Sequence, residues 1–474
     1  MPMEFINTYT RRLPARFYEQ VTPTPAPAPR LIAWSRDLAR HLGFDSNEDP
    51  ERLRRWFGGN EPIPGSDPVA LAYAGHQFGH FVPQLGDGRA ALLGEARSPV
   101  DGKGYDLQLK GSGPTPFSRR GDGKSSLGPV IREYLLSEAM HRLGVPTTRA
   151  LAAVGTGEWV LRDGPEPGGV LTRVAAGHIR VGTFQYFAAR GDKEALQRLT
   201  GYAIERHYPQ VSGADRPVAA FYGEVVKAQA RLVAHWMALG FIHGVMNTDN
   251  MAISGETLDY GPCAFLDEFH PYKVFSSIDH QGRYAYGNQA NMAQWNLARL
   301  AECLLQPDEA TQAFEDALAE FKPVFSEHYH ALMRARLGLR GAQPEDAGII
   351  TAWLRYLQDG ALDYHRQFVA LEGQLRTDAV EDIPAFTQPW LRRIDQQSGG
   401  RDEAVRLMAA NNPRYVPRNH QVERAIQAVF RGDDQVFEEL HQVLSDPYDE
   451  HPGLDVYKQP PREEERVEMT FCGT

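Results

Sequence analysis

An α+β fold of two lobes, with extensions at both ends, is predicted by three observations. Short alternating runs and Gly-rich turns fill residues 80 to 180. Helical periodicity dominates after residue 190. Across both parts runs an ordered series of polar residues: Lys110, Glu133, His243, Asn250 and Asp259. The expected units are an N-terminal extension at 1–70, a strand-rich N-lobe with nucleotide-binding loops at 71–185, a helical C-lobe at 186–440 with the catalytic loop and metal site, and a tail at 441–474 carrying Cys472.

The elements follow in chain order. Residues 1–35 are rich in Pro and Arg, and "TPTPAPAP" at 22–29 predicts an extended arm outside the core. "RAALLGEARS" and "YDLQLKGSG" alternate as strands do; in the second, Leu107 and Leu109 face one way and Gln108 and Lys110 the other. "SSLGPVIREYLLSEAMHRLG" reads as a helix, capped at Ser125 or Ser126, with Pro129 in its first turn and Gly144 at its end. "PVAAFYGEVVKAQARLVAHWMALG" sets Phe221, Val225, Ala228, Leu232 and Trp236 at helical spacing before a stop at Gly240. Phe241 to His243 then form a short buried segment. The polar tail from 445, with "REEERVE", is expected to be mobile or wrapped on the surface.

Composition narrows the partners. Hydrophobic residues at 42% and charged residues at 23% fit a soluble globular chain. A net charge of −11 argues against a nucleic-acid partner. No run of 18 apolar residues occurs, so no membrane span is expected. The N-terminus lacks a secretory apolar core; two Arg pairs hint at a transit peptide, which an early Glu and few Ser oppose. Three Cys, at 263, 303 and 472, support neither a disulfide framework nor a zinc site, so a reducing cytosol is the default.

The chemistry centres on "HGVMNTDNMAISGETLDYGPCAFLD", His243 to Asp267. A protein-kinase-like catalytic loop reads H-x-D, then an Asn five residues after the Asp, then a D-F-G-type Asp. Here Val245 replaces the catalytic Asp, Asn250 keeps its step, and Asp259-Tyr260-Gly261 fills the D-F-G place. Asn250 and Asp259 offer the oxygen ligands that Mg²⁺ takes, with phosphate completing the shell. Asp249 is the only acid between His243 and Asn250, which makes it the candidate base; a capping turn at T-D-N is the weaker alternative, given Asp259 nearby. His243 reads as structural.

Upstream, Lys110 ends a strand and Glu133 lies in the next helix, the pairing by which kinases hold a nucleotide phosphate. Alone, the pair could be a chance match on a solvated surface. Its weight comes from the order of the whole series, which is that of a protein-kinase-like two-lobed fold. Gly86, Gly88 and Arg89 in "QLGDGRAALLGE" form either a phosphate-approaching turn or an ordinary hairpin turn. "GSGPTPFSRRGDGKSS", with Asp122, is a longer and more polar loop than a connector needs. Arg173 and Arg180 sit among apolar residues, where an Arg pairs with either phosphate or a carboxylate.

These strings, with "NTYTRRLPARFY", "GHQFGHFVPQLGDGRA", "HIRVGTFQYF" and the terminal "FCGT", resemble the selenoprotein O (SelO/YdiU) family of kinase-like proteins over nearly the whole chain. The resemblance implies ATP bound in a flipped orientation. It implies transfer of AMP to Ser, Thr or Tyr hydroxyls of proteins, with UMP from UTP and Mn²⁺ also attributed to bacterial members. It assigns Lys110, paired with Glu133, to phosphate. It assigns Gly86, Gly88, Arg89, Asp122, Gly123, Arg173 and Arg180 to the nucleotide site. Asp249 becomes the proton acceptor, and Asn250 and Asp259 the ligands of Mg²⁺ or Mn²⁺. The partners implied are a nucleoside triphosphate and acceptor proteins, the chain itself included, and the location a bacterial cytoplasm. Family members with selenocysteine carry it near the C-terminus, where Cys472 stands here.

Two other classes stay open: a phosphotransferase with a relocated base, and a non-catalytic ATP-binding scaffold. The retained Asn250 and Asp259 argue against the scaffold. A conditional redox link between Cys263, four residues after Asp259, and Cys472 on the tail is a further expectation; two unrelated thiols are the alternative.

Overall fold

The computed structural model describes residues 3–45, 47–305 and 311–470. In chain order its strands are β1 Glu4–Phe5, β2 Tyr18–Gln20, β3 Arg30–Trp34, β4 Val69–Leu71, β5 Gly75–Gln77, β6 His80–Val82, β7 Ala90–Arg97, β8 Gly104–Lys110, β9 Ser125–Ser126, β10 Arg149–Leu161, β11 Pro165–Ala175, β12 Phe241–Ile242 and β13 Ala264–Phe265. Nine of them form one antiparallel sheet in the order β2-β4-β7-β8-β11-β10-β3, with β1 on β7 and β9 on β11. The whole is a mixed α/β structure, sheet first and helices after.

Both faces of the sheet are covered, so its central strands are buried on both sides, with the polar Asp106, Gln108, Lys110 and Arg173 included. Leu107, Leu109, Val170 and Val174 pack with Leu38, Leu42, Trp56 and Phe57 from the helices Arg36–Leu42 and Pro50–Phe57. On the opposite face the helix Leu127–Arg142 brings Ile131, Tyr134 and Leu135 into a core shared with Phe184, Tyr222, Trp236 and Phe241. A second core joins Trp353, Tyr364, Phe368 and Trp390, from the helices after residue 320, to Ile242, Leu266 and Phe269. Both predicted strands and both predicted helices are present; the helices run Leu127–Arg142 and Pro217–Ala238, and each is followed by a glycine at positive φ, Gly144 and Gly240.

The N-terminal segment corrects the sequence reading. It is not an arm outside the core. Tyr9, Leu13 and Phe17 are buried in the main core, and β3 closes one edge of the sheet against β10. Even "TPTPAPAP" is laced down. Its prolines alternate, so the intervening amides all emerge on one side of an extended chain. Thr24 donates to Ser112 O at 2.7 Å, Ala26 to Gly58 O at 3.0 Å and Ala28 to Thr156 O at 3.0 Å. The tail wraps the surface and ends in a buried contact: Thr470 Oγ1 donates to Pro262 O at 2.7 Å.

The antiparallel pair β12 and β13 sets Phe241 opposite Phe265, so the loop between them begins and ends at one point. That loop carries His243, Val245, Asp249, Asn250 and Asp259.

Candidate active site

Strand register brings the basic side chains together. Gln108 lies opposite Arg173 across β8 and β11, and paired residues share a face. Arg173 Nε donates to Gln108 Oε1 at 2.7 Å. Two residues along β8, on the same face, Lys110 Nζ donates to Glu133 Oε2 at 2.5 Å and to Asp259 Oδ1 at 2.7 Å. Arg173 Nη1 stands 3.5 Å from Glu133 Oε1. Lys110, Glu133, Arg173 and Asp259 are thus one cluster.

Asp259 adopts a left-handed backbone, φ 76°, and its Oδ1 also accepts from Tyr260 N at 2.9 Å. Burial alone would raise its pKa; Lys110, Arg173 and Arg89 outweigh it and hold the carboxyl well below the usual range. Asp259 is therefore an anion at any physiological pH, a state suited to a cation. Asn250 donates Nδ2 to Val245 O at 3.1 Å, which leaves its Oδ1 as the acceptor end. Among the described residues no group of three His, Cys, Asp or Glu side chains is set to hold a metal alone. Asn250 and Asp259 supply hard oxygen donors, a set that fits Mg²⁺ or Mn²⁺ shared with phosphate.

Asp249 sits on a single 3-10 turn, Thr248–Asn250, and is 8% exposed. Burial pushes its pKa up to about 6, against the pull of its own backbone, Arg180 and Gln77. Among the described residues its Oδ1 is buried without a hydrogen-bond partner, while Gln77 Nε2 donates to its Oδ2 at 3.5 Å. Gly75 makes room for it: a Cβ there would stand 2.3 Å from Asp249 Oδ1. Val245, in the usual place of the base, is buried and offers the loop only its backbone. His243 is structural, its ring nitrogen 3.3 Å from Leu258 O and its backbone N–H on Gln289.

Arg180 is buried, 4.2 Å over the Tyr73 ring, with Nη2 3.8 Å from Asp87 Oδ1. Arg173 and Arg180 thus have carboxylates near them, yet Arg173 Nη1 and Arg180 Nη2 make no hydrogen bond among the described residues. A buried donor left open costs about 1–3 kcal/mol, which an acceptor oxygen placed there would offset. Gly86 and Gly88 form a turn pinned by Gly86 N–H on Tyr73 O and Asp87 N–H on Leu71 O. Gly86 has φ 71° and abuts Phe117 so closely that a Cβ would overlap the ring. Ser118 Oγ donates to Gly88 O at 2.5 Å, which joins the two Gly-rich loops. The carbonyl of Arg89 accepts from Gly111, and that of Gly123 from Gly113, so both hold the necks of these loops. Asp122 is turned away to Arg162, at 3.0 and 3.2 Å, and is not part of the lysine cluster.

Cys263 is fully buried, and burial pushes its thiol up to about 11. Cys472 lies outside the described residues.

Several residues escaped the sequence reading. Asp87 accepts from Leu71 N and from Gln108 Nε2. A closed ring locks the β5–β6 hairpin onto the loop that carries Asp249. His76 N donates to Thr248 Oγ1 at 2.7 Å, Thr248 donates to Gln185 Oε1 at 2.6 Å, and Gln185 Nε2 lies 2.7 Å from His76 Nδ1. Only Gln108 had a signal, being two residues before Lys110 on an alternating strand. The hairpin contacts bridge 172 residues of sequence.

Among the described residues no helix is long and apolar enough to cross a membrane. The profile of the family described as protein adenylyltransferase SelO matches residues 3–445. A protein nucleotidyltransferase YdiU of Maridesulfovibrio salexigens is 50% identical, over 100% of this chain and 98% of its own. The protein of the same name from Agrobacterium fabrum is 50% identical over 100% of both chains. One from Rhodopseudomonas palustris is 51% identical over 99% of each. The chain belongs to the protein adenylyltransferase SelO family.

Proposed function

We propose that the chain transfers AMP from ATP to Ser, Thr or Tyr hydroxyls of proteins, releasing pyrophosphate, on a protein-kinase-like two-lobed scaffold. The observation that carries this is Asp249, a buried carboxylate with an open Oδ1, beside a Val245 that cannot act as a base. The family description and the names of the relatives support transfer of a nucleotidyl group.

In this reading the N-lobe, 71–185, and the C-lobe, 186–440, enclose the triphosphate. Lys110, steadied by Glu133, neutralises phosphate charge, and Arg173 and Arg180 direct their open N–H groups to phosphate oxygens. Gly86, Gly88, Arg89 and Gly123 shape the loops around it. Asn250 and Asp259 hold Mg²⁺ or Mn²⁺, which screens the triphosphate charge when bound. Asp249 takes the proton of the acceptor hydroxyl as its oxygen bonds to the α-phosphorus. The bond from that phosphorus to the bridging oxygen breaks, and pyrophosphate leaves with the electron pair. Asp122, engaged by Arg162, shapes its loop from outside. No membrane or nucleic acid takes part, and a bacterial cytoplasm is the setting.

The test is incubation with ATP labelled at the α- or, separately, the γ-phosphate. Label from the α-position in protein, with pyrophosphate released, is expected. Label from the γ-position alone, with ADP released, would establish a phosphotransferase instead. Binding of ATP without any product would establish a scaffold. Parallel reactions with α-labelled UTP decide the base.

A further inference from the structure

The hairpin locked over Asp249 has an outer side that the nucleotide chemistry does not use. The ring of His76 in β5 lies 4.9 Å from that of Phe81, tilted by 45°; Phe81 is 41% exposed, and His76 meets the Trp295 ring edge-on at 5.2 Å. Two arginines flank that indole. Arg299 lies 4.9 Å from its centroid and is neutralised by Glu302. Arg283 lies 4.8 Å from it, with its guanidinium against Gly79 at the hairpin tip. Arg283 has no carboxylate partner among the described residues. The nearest acid in sequence, Asp279, spends its oxygens on the backbone N–H groups of Arg283 and Tyr284, at 2.9 and 2.7 Å. In a chain of net charge −11, that leaves this guanidinium's charge unneutralised at the hairpin tip.

Its place is fixed relative to the base. Tyr284, next in sequence, donates to Asn247 Oδ1 at 2.8 Å, which also accepts from Phe78 N at 3.0 Å. Asn247 is two residues before Asp249 in the same loop. An acceptor hydroxyl presented to Asp249 would lay its flanking residues across this shelf.

We propose that Arg283, braced on Trp295, reads an acidic side chain flanking the acceptor hydroxyl. The inference rests on the functional reading above and adds a preference for acidic acceptor segments. The partly stacked guanidinium offers two N–H groups to a carboxylate, and the indole holds it extended, so little side-chain entropy is lost on pairing.

The experiment uses the full chain, α-labelled ATP and peptides with one Ser, bearing Glu or Gln at each of the three positions on either side. A Glu peptide should exceed its Gln counterpart in kcat/KM by about five-fold, mainly through KM, the scale of one partly exposed ion pair. Raising the salt concentration should erode the preference. Arg283→Gln should bring the ratio to about one, and Arg283→Glu should favour Lys peptides. Equal wild-type rates for Glu and Gln, or a preference that survives Arg283→Gln, overturns the inference while leaving the transfer reaction standing. No transfer to any peptide or protein, the chain itself included, overturns the functional reading and this inference with it.

Discussion

Lys110 is gripped by Glu133, Nζ to Oε2 at 2.5 Å, from a helix 23 residues on in sequence. The same ammonium bonds Asp259, so one cation links sheet, helix and the loop that carries Asp259. Lys110→Ala should remove the phosphate contact and leave Glu133 and Asp259 with only the more distant Arg173 and Arg89 to offset their charge. Glu133→Ala should remove only the brace, since Asp259 still holds the ammonium. Loss at Lys110 should be roughly 2–4 kcal/mol of barrier, about 30- to 1000-fold, with a smaller loss at Glu133. Rates of pyrophosphate release decide it; equal losses in the two variants would show that the Lys acts only through Glu133.

That pair was legible in the sequence because each partner sits on a strongly patterned element. Alternation placed Lys110 opposite Leu109, and helical spacing placed Glu133 on a buried helix. Asn250 and Asp259 were legible from their spacing. The support of Asp249 was not. Gly75 and Gln77 reach it, and His76 and Gln185 hold Thr248 beside it, across long sequence separations that no local pattern encodes. The N-terminal segment failed differently. Its alternating prolines were read for stiffness, when their consequence is a row of amides on one side that dock it to the sheet.

Asp249→Asn tests the base directly. The carboxylate is buried with an open oxygen, so replacing it with a neutral isostere should leave thermal stability equal or raised. Transfer should fall by about 10²- to 10⁴-fold, the range for loss of a positioned general base. ATP binding, measured by calorimetry, should persist. Transfer within ten-fold of wild type would remove Asp249 from the mechanism.

Gly75→Ala tests its position without touching its chemistry. The added Cβ would come within 2.3 Å of Asp249 Oδ1 and 2.9 Å of Leu85 Cδ1, so the carboxylate must swing away. A misplaced base costs rate more than affinity; kcat should drop by about 10²-fold with KM for ATP little changed. A matching rise in KM with kcat preserved would place the steric effect on nucleotide binding instead.

Glu256 gives a pH prediction away from the catalytic groups. It accepts from Ser254 Oγ at 2.8 Å and Ala176 N at 3.1 Å. Burial pushes its pKa from 4.5 up to about 7; Asp106 adds to the rise, while Ser254, the Ala176 amide and Arg206 oppose it. Between these two values the folded chain keeps a proton that the unfolded chain has lost. The contribution to stability is therefore fully present below pH 4.5 and is lost as pH rises through 7. Glu256→Gln removes that dependence while keeping an acceptor oxygen for Ser254. Relative to wild type, the variant's melting temperature should be higher at pH 8 than at pH 5 by about 1–3 °C. Melting curves for the two proteins that stay parallel across this range would show that Glu256 is ionised in the folded chain throughout.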